Sequence, residues 1–301
     1  MSQPTTRRRR QNGWRTALLF LVPLLVIYGV YYLYSIIFLV QTSGQRVGIS
    51  LLRPVQVGLH NFALLLSDPV FGHAIVNNLI FAAASIAVAL TIGFFIAVSL
   101  STGVHGRKLF YLVFLLPALM PLSLVATIFG SMLQERFGVL NETLRAVGLG
   151  SLAQSWLTTP SLAYGAVILI FCYLIGLPIM YYTADLSALP VSSLEAALLD
   201  GAGTFRIMRS IIYPMMRSTH ITVVLSLLLG SFRALEQVLF STEGGPGTTT
   251  EIVGTYLYGY ANSSGKTIGF AAAASIVVLL IALVISLVQM VVTRAPRDRK
   301  A

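Results

Sequence analysis

The stretch PVSSLEAALLDGAGTFRIMRSIIYP, Pro190–Pro214, is the longest polar interruption after residue 150, and apolar stretches flank it on both sides. Ser192 and Glu195 have the S-x-x-E spacing of a capping box, which predicts the start of a helix there. Gly201 and Gly203 are residues that end a helix and turn the chain without a Cβ penalty. The stretch therefore predicts two short amphipathic helices joined at glycines.

The second of these helices is predicted to begin at Thr204 and to be interrupted by Pro214. Two arginines, Arg206 and Arg209, lie off its apolar stripe. The stripe has helical spacing and consists of Phe205, Met208, Ile211 and Ile212.

The composition predicts an integral membrane protein. Only 10% of the 301 residues are charged, and the mean hydropathy is +0.83, whereas soluble domains carry about 25% charged residues. Five uncharged runs each exceed the roughly 20 residues that a helix needs to cross the hydrocarbon core. These runs are Thr16–Gln45, Pro69–Gly106, Leu109–Gln134, Ala146–Ala184 and Thr267–Thr293.

Six spans are predicted within a transmembrane domain of residues 16–293, which lies between a basic tail at 1–15 and another at 294–301. Pro117 and Pro121 in the third span favour either a bent helix beside a pathway or a simple packing kink. The predicted spans lie at about 16–40, 74–100, 109–133, 160–183, 217–240 and 267–292.

The distribution of Lys and Arg predicts the orientation. Six spans put both termini on one side; fourteen basic residues lie on that side, which also holds the 190–214 loop, and five lie on the other. This excess predicts that both termini and the loop are cytoplasmic. The basic residues then account for the net charge of +10 as a topology signal, with no need for a nucleic-acid partner.

The 190–214 stretch resembles the EAA loop of ABC importer permeases. The resemblance lies in Glu195-Ala196-Ala197, then Gly201 after three residues, Ile211 after nine more, and Tyr213-Pro214 after one more; Asp200-Gly201-Ala202 also fits the family. The family pattern has Leu at the position of Tyr213, so the packing of the last turn is expected to differ. In these permeases the loop docks into a cleft on a cytoplasmic ATPase subunit.

The resemblance implies an all-α, six-span permease of the type I importer class with cytoplasmic coupling helices. It also implies two ATPase subunits, a second permease subunit and an extracytoplasmic solute-binding protein, in a bacterial inner membrane. The residues expected to couple to the ATPase are Glu195, Ala196, Ala197, Asp200, Gly201, Ala202, Arg206 and Arg209.

Polar residues inside the fifth span are candidates for a solute pathway. Arg233 and Glu236 lie at spacing i, i+3, so their side chains can meet on one helical face, and Gln237 follows. A charge in hydrocarbon costs about 2.5–3.5 kcal/mol on insertion scales, which marks a functional site by default. Two interpretations stay open: Arg233 and Glu236 pair with each other, or they line the pathway.

The segment SFRALEQVLFSTEGGPGTTTEIVGTYLYGYA that follows resembles sugar-importer permeases of the maltose and glycerol-3-phosphate type, and within that group the first permease of a pair. The chain has Arg233, Leu235 and Glu236 where that pattern has Lys, Phe and Asp. A different second permease is therefore expected. Tyr256, with Tyr258 and Tyr260, either stacks on a sugar ring or belongs to an aromatic belt at the outer interface.

Several enzyme classes find no support in the sequence. No G-x-x-x-x-G-K-[ST] loop, H-E-x-x-H helix or G-x-S-x-G elbow occurs. The four histidines have no ligand spacing and the single Cys172 lies in an apolar run, so no metal site and no catalytic residues are predicted. The chain is expected to bind no cofactor itself, and ATP is expected to be used by the separate ATPase.

Two rival functions remain at this stage. One is an ABC permease for another solute, such as an amino acid, a peptide or phosphate, because the EAA pattern fits those as well. The other is a secondary transporter, which would need in-membrane carboxylates or inverted repeats. Glu236 is the only acidic residue deep in a predicted span, which disfavours the secondary transporter.

Overall fold

The computed structural model describes residues 10–48, 50–101, 106–262 and 267–294. Of the two predicted basic tails, residues 1–9 and 295–301 therefore lie outside the described residues, and residues 10–15 begin the first helix. The sixteen α-helices of the described chain are α1 Arg10–Ser43, α2 His60–Leu66, α3 Pro69–Val88, α4 Phe94–Ser101, α5 Arg107–Leu119, α6 Leu122–Met132, α7 Val139–Ala146, α8 Pro160–Tyr173, α9 Gly176–Leu186, α10 Val191–Leu199, α11 Thr204–Ile207, α12 Tyr213–Met215, α13 Arg217–Arg233, α14 Glu236–Leu239, α15 Val253–Asn262 and α16 Ile268–Arg294.

Short non-α elements complete the fold. Strands β1 Gln45–Arg46 and β2 Val55–Gln56 form a two-stranded antiparallel ladder. Two π-helical turns, Ala89–Gly93 and Met208–Ile212, join α3 to α4 and α11 to α12, and a 3₁₀ turn covers Gly150–Leu152.

Within the described residues, four continuous segments are long and apolar enough to span a membrane, and two bent helix pairs bring the total to six if each pair is one span. This confirms the predicted all-α membrane fold. The four continuous segments are Ala17–Ser43, Pro69–Ser101, Pro160–Leu186 and Ile268–Val292. The two bent pairs are Arg107–Leu119 with Leu122–Met132, and Thr204–Met215 with Arg217–Arg233.

The third predicted span is broken rather than merely kinked. Helices α5 and α6 meet at 99°. Met120, with φ −79° and ψ 149°, is extended, because the ring of a following proline disfavours the helical conformation, and Pro121 follows it. The proline pair therefore predicted the bend, although not its size.

The fifth span was predicted to run from 217 to 240, and this boundary is wrong. Helix α13 ends at Arg233, Ala234 is extended, and α14 restarts at Glu236. Leu235, with φ −141° and ψ −56°, completes the break. The segment is mostly apolar on both sides of the break, so its composition alone predicted one continuous helix.

A close approach fixes α9 against α5. A Cβ on Gly176 would lie 2.5 Å from the carbonyl oxygen of Phe114, so no other residue fits without a backbone shift. Helix α9 starts at this glycine, two residues before the buried Pro178. The backbones of the third and fourth spans can therefore touch at this point.

The chain forms two compact units. One holds α1, the two strands, most of α2 and the start of α16 up to Val277. Within it, the Asn61 amide donates to the carbonyls of Ser43 and Gln45 at 2.7 and 2.9 Å. A Cβ on Gly269 would lie 1.8 Å from the Gln45 carbonyl oxygen, so this position requires glycine.

The other unit holds α3 to α15 and the remainder of α16, and its described residues include the two hydrophobic clusters that follow. The first joins α4, α9 and α13 through residues that include Phe94, Tyr182 and Val223. The second joins α3, α8 and the segment after α13 through residues that include Phe81 and Val167. The candidate functional residues lie beside these two clusters.

Candidate functional site

The coupling segment, defined here as residues 190–216, begins differently from its prediction. Helix α10 starts at Val191 with Pro190 as the cap residue and no side-chain capping bond. Ser192 thus lies inside the first turn, so the predicted capping box with Glu195 is wrong. The physical reason is that Pro190, with fixed φ and no N–H, already places the chain at the helix entrance.

The glycine turn of the segment forms as predicted. Gly201 has φ +72°, the left-handed conformation that favours glycine. Its N–H donates to the Leu198 carbonyl, and the N–H of Ala202 donates to the Ala197 carbonyl, both at 3.0 Å. This pair of bonds is a Schellman motif, which satisfies the end of α10 without help from the rest of the protein.

Apolar side chains of the segment are left on the surface. Leu198, Leu199 and Phe205 are 62, 89 and 64% exposed, and Glu195 and Asp200 beside them are exposed as well. The predicted stripe is corrected at one position, because Phe205 points outward and Ile207 is the buried residue of α11. Of the other coupling residues, Ala197 is buried, Ala202 is half-buried, and Ala196, Arg206 and Arg209 are exposed.

A histidine that the sequence reasoning missed joins the coupling segment to the spans. His220 Nε2 lies 3.0 Å from the Tyr213 carbonyl oxygen, and Nδ1 lies 2.9 Å from the Tyr182 hydroxyl. Because a carbonyl only accepts, Nε2 carries the proton, and in the neutral ring Nδ1 accepts from Tyr182. One side chain thereby links the end of the coupling segment to α9 and α13.

The Tyr213 ring occupies the position where the importer family has Leu. It packs on the His220 ring with centroids 4.1 Å apart and meets Phe94 edge-on at 5.2 Å. The departure from the family pattern is thus matched by an aromatic neighbour on α13. Only the spatial proximity of these positions reveals the pairing.

The break between α13 and α14 changes the interpretation of Arg233 and Glu236. Arg233 ends one helix and Glu236 begins the next, so the two do not share a helical face. Among the described residues no ion pair joins them, and the predicted mutual pairing is wrong. Both line the same cavity instead.

This cavity has a volume of about 570 Å³ and lies beside the break. Gln237 also lines it, and its side chain is 7% exposed. Within the part of the chain that the structure describes, the Gln237 Oε1 atom is buried and has no hydrogen-bond partner. Other lining residues from four spans are Ser85, Leu122, Pro178, Tyr181, Ser226 and Ser231.

Two buried asparagines hold the segment around the break in place. The Asn78 amide donates to the Ser231 carbonyl, and its Oδ1 accepts from the Val253 N–H at 2.9 Å. The Asn77 amide donates to the carbonyls of Thr249 and Glu251 at 3.0 and 2.8 Å. We call residues 231–254 the clamped segment, since α3 fixes both of its ends.

Glycines allow the clamped segment to pack this closely. A Cβ on Gly254 would lie 2.0 Å from the Ala234 carbonyl oxygen, so α15 touches the break directly. Gly244 has φ +86°, and a Cβ there would lie 2.2 Å from a Glu251 side-chain oxygen. The GGP turn is therefore folded against its own chain.

Tyr256 is not among the residues that line the cavity. It is 5% exposed, and its hydroxyl donates to Asp68 Oδ2 at 2.6 Å. Its ring also packs against Phe71 and Tyr260, with centroids 5.3 and 4.9 Å away. Burial, followed by the hydrogen bond to Asp68, raises the pKa of the Tyr256 phenol.

The structure thus brings Arg233, Glu236 and Gln237 together at one cavity and places Tyr256 elsewhere. Residues 89–297 match the family model described as binding-protein-dependent transport system inner membrane component. The match covers more than half of the chain, and the chain therefore belongs to this family of membrane permeases.

Curated relatives agree with the family match over most of their length. The probable ABC transporter permease protein YurN of Bacillus subtilis is 33% identical over 237 residues, 78% of this chain and 81% of YurN. The lactose transport system permease protein LacF of Rhizobium radiobacter is 28% identical over 294 residues, 96 and 95% of the two chains. The multiple sugar-binding transport system permease protein MsmF of Streptococcus mutans is 30% identical over 239 residues, 77 and 79% of the two chains.

Solved structures show the same fold. A chain from the crystal structure of a bacterial ABC transporter for import of the polysaccharide alginate aligns with a TM-score of 0.76 at 22% identity, covering 98% of this chain and 100% of that one. A second structure of an alginate transporter, in complex with a pentasaccharide-bound periplasmic protein, aligns with a TM-score of 0.78 at 22% identity, covering 94 and 96%. The predicted ABC importer permease fold is confirmed.

Proposed function

We propose that this permease forms half of a carbohydrate pathway in an ATP-driven importer and receives its driving motion through the coupling segment. The observation that carries the coupling role is the self-capped turn at Gly201 beside the exposed Leu198, Leu199 and Phe205. Exposed apolar groups outside the predicted spans indicate a protein contact. The segment also lies on the side of the chain that is rich in Lys and Arg, which supports a cytoplasmic position.

The partner at the coupling segment is proposed to be an ATPase subunit. Leu199 and Phe205 would enter an apolar cleft, while Arg206 and Arg209 would meet acidic groups and Glu195 a basic one. The Schellman turn supports this role, because a segment that satisfies its own backbone can move as a rigid lever. Movement of that lever would reach the spans through Tyr213 and His220.

The solute is proposed to occupy the cavity at the break between α13 and α14. Its volume of about 570 Å³ lies within the range of ligand sites, about 300–1,000 Å³. Gln237 Oε1 is a buried acceptor that a solute hydroxyl would satisfy, and Arg233 and Glu236 add donors and acceptors. A carbohydrate supplies many hydroxyls, and the sugar-transport names of LacF and MsmF support that class.

The remaining partners follow from the family. We propose a second, different permease, two ATPase subunits and an extracytoplasmic binding protein, with both termini of this chain in the cytoplasm of a bacterial cell. The alginate transporter bound to a periplasmic protein supports a binding-protein partner for a chain of this fold. ATP would be bound and hydrolysed by the partner subunits.

Co-purification and ATPase stimulation test the proposal together. The tagged permease, expressed with its proposed partners, should bring the ATPase with it, and the complex should hydrolyse ATP faster when the binding protein carries a sugar. A panel of sugars, amino acids, a peptide and phosphate identifies the solute. Stimulation only by an amino acid, peptide or phosphate contradicts a carbohydrate pathway, and a permease that transports without any ATPase contradicts the importer.

A double substitution at Leu198 and Leu199 tests only the proposed contact between the coupling segment and the ATPase. Leu198→Ser combined with Leu199→Ser should lower the amount of co-purified ATPase about tenfold or more, because two buried leucines at an interface contribute about 1.5–3 kcal/mol each. Leu59→Ser is the matched control, since Leu59 is 78% exposed and lies on the opposite predicted side. Equal loss of ATPase from both variants would contradict a specific contact at the coupling segment.

A further inference from the structure

A second cavity of about 570 Å³ opens to the surface where the second, third and fourth spans end. It lies between the end of α4, the first turns of α5 and the end of α9. It is distinct from the cavity at the α13–α14 break, because the two share no lining residue. The second cavity adjoins the first hydrophobic cluster, because Leu100, Tyr111 and Leu186 belong to both. Met208 and Ile212 of the coupling segment pack against the same cluster.

The lining of this cavity is basic. Arg107 and Lys108 both line it and both are exposed, and no acidic residue is among its described lining residues. Within the described chain no hydrogen bond or ion pair is recorded for either side chain, and residues 102–105 contain no acid. Asp185 lies in sequence between two lining residues, Ala184 and Leu186. Its carboxylate accepts a hydrogen bond from the Thr219 hydroxyl.

Hydroxyl groups complete the polar wall. The Ser101, Thr183 and Ser187 hydroxyls already donate to backbone carbonyls, so they offer only acceptor lone pairs. Tyr111 also lines the cavity, and among the described residues its hydroxyl has no hydrogen-bond partner. Among the described lining residues, the side-chain donors that remain for a ligand are Tyr111 and the two cations, which together suit a phosphate group.

One flank of the cavity is apolar and exposed. The next residues of α5 are Leu109, 65% exposed, Phe110, 49% exposed, and Leu112, 52% exposed. A ligand whose charged group sits at Arg107 and Lys108 would therefore have an apolar surface beside it along the span. A soluble phosphate would leave that surface uncovered, whereas an acyl chain would cover it.

We propose that this cavity binds the phosphate headgroup of an anionic phospholipid, with an acyl chain along α5. Basic pockets between spans on the cytoplasmic side are suited to such headgroups. The placement in the inner leaflet rests on the proposed orientation; the binding itself does not. A lipid held here would brace α4, α5 and α9 beside the coupling segment.

Native mass spectrometry of the purified complex measures the binding of phospholipids to the permease directly. Phosphatidylglycerol and phosphatidylcholine are titrated separately, and phosphatidylglycerol should bind about tenfold more tightly, because only it is net negative. Arg107→Gln combined with Lys108→Gln should weaken phosphatidylglycerol binding about 20–30-fold, since each cation at the membrane surface contributes about a fivefold factor. Both residues are exposed, so the variant should fold.

Arg46→Gln combined with Arg53→Gln is the matched control, because it removes the same charge from two exposed positions that do not line the cavity and lie outside the coupling segment. It should leave phosphatidylglycerol binding unchanged. Equal loss in both variants would mean a diffuse electrostatic attraction and would overturn the site. Displacement of the lipid by inorganic phosphate would overturn the lipid assignment, and loss of ATPase without loss of lipid in the Arg107/Lys108 variant would identify a protein contact instead.

These outcomes are separate from the proposed transport function. A permease that binds phosphatidylglycerol through Arg107 and Lys108 supports the lipid site even if no sugar stimulates the complex. Normal sugar-stimulated ATP hydrolysis with no preference for the anionic lipid refutes the site and leaves the transport proposal standing.

Discussion

The coupling segment and the clamped segment both contain breaks between helices, yet they satisfy their backbones in opposite ways. The coupling segment closes α10 with its own Gly201 and Ala202 amides and leaves Leu199 exposed. The clamped segment depends on amide side chains from another helix, Asn77 and Asn78.

We attribute this difference to the surroundings proposed for each segment. Inside a membrane no water satisfies a broken helix, so a neighbouring helix must do so. A segment that meets a partner outside the spans can satisfy itself and present its apolar groups. Four substitutions test this contrast, from the largest expected effect to the smallest.

Asn78→Leu breaks the clamp and should have the largest effect. It leaves the Val253 N–H without its partner and removes one of two donors to the Ser231 carbonyl, which Ala234 also contacts at 3.2 Å. The free energy of unfolding should fall by about 2–3 kcal/mol, the cost of a buried unsatisfied group, as measured by thermal denaturation in detergent.

His73→Ala is the control for this substitution. His73 lies on the same helix and approaches the Thr249 carbonyl at only 3.4 Å from an exposed position, so about 0.5 kcal/mol or less is expected. If Asn78→Leu costs no more than His73→Ala, the clamp does not hold the segment.

His220→Leu disconnects the coupling segment from the spans. It removes the donor to the Tyr213 carbonyl and leaves the fully buried Tyr182 hydroxyl without its acceptor. We expect a loss of about 2 kcal/mol in stability and slower sugar-stimulated ATP hydrolysis. Tyr182→Phe, which removes only one of the two bonds, should lose about half as much, and full activity in His220→Leu would refute a linking role.

Gly201→Leu tests whether the turn of the coupling segment transmits motion. At φ +72° a non-glycine residue costs about 1–2 kcal/mol, and apart from the adjacent residues no described residue lies within 4 Å of the added Cβ. Sugar-stimulated ATP hydrolysis in the reconstituted complex should be lost, while the permease still folds in the membrane.

Two further variants separate the causes of that loss. Asn tolerates the left-handed conformation, so recovery in Gly201→Asn would indicate backbone strain, and continued loss would indicate obstruction of the partner. Gly203→Ser is the control, because Gly203 has an ordinary φ of −68° and open space around its Cβ. Normal coupling in Gly201→Leu would show that the turn is dispensable.

Tyr256→Phe tests a side-chain hydrogen bond just after the clamped segment. Of the four substitutions, it should have the smallest effect on stability. Loss of the hydrogen bond to Asp68 should cost about 1–2 kcal/mol. The folded pKa of the phenol is raised above its unfolded value near 10. The contribution of the neutral Tyr256 phenol to the free energy of unfolding is therefore complete below about pH 10, and it is lost as the pH rises further.

Parallel unfolding measurements on the two proteins check this. The difference in stability between wild type and Tyr256→Phe should stay constant from about pH 7 to 9 and should shrink above about pH 10. A difference that grows in that alkaline range would contradict the raised pKa, and no difference at neutral pH would contradict the bond.

Much of this protein is determined by its sequence alone. The uncharged runs predict the spans, since only long apolar helices can cross hydrocarbon, and the 190–214 pattern predicts two short helices with a turn at Gly201. Both depend on local composition and spacing, which require no knowledge of neighbours. The proline pair Pro117 and Pro121 likewise predicts a bend, because its cause lies in the adjacent backbone.

Only the tertiary structure decided where the fifth span breaks and what that break brings together. An i, i+3 spacing predicted contact between Arg233 and Glu236, but the spacing has this meaning only in a continuous helix. At the end of helix α13, Asn78, 153 positions earlier in the chain, donates to the Ser231 carbonyl, and Gly254 packs against Ala234. Contacts between residues so distant in sequence leave no periodic signal, so the cavity and the His220 link became visible only in three dimensions.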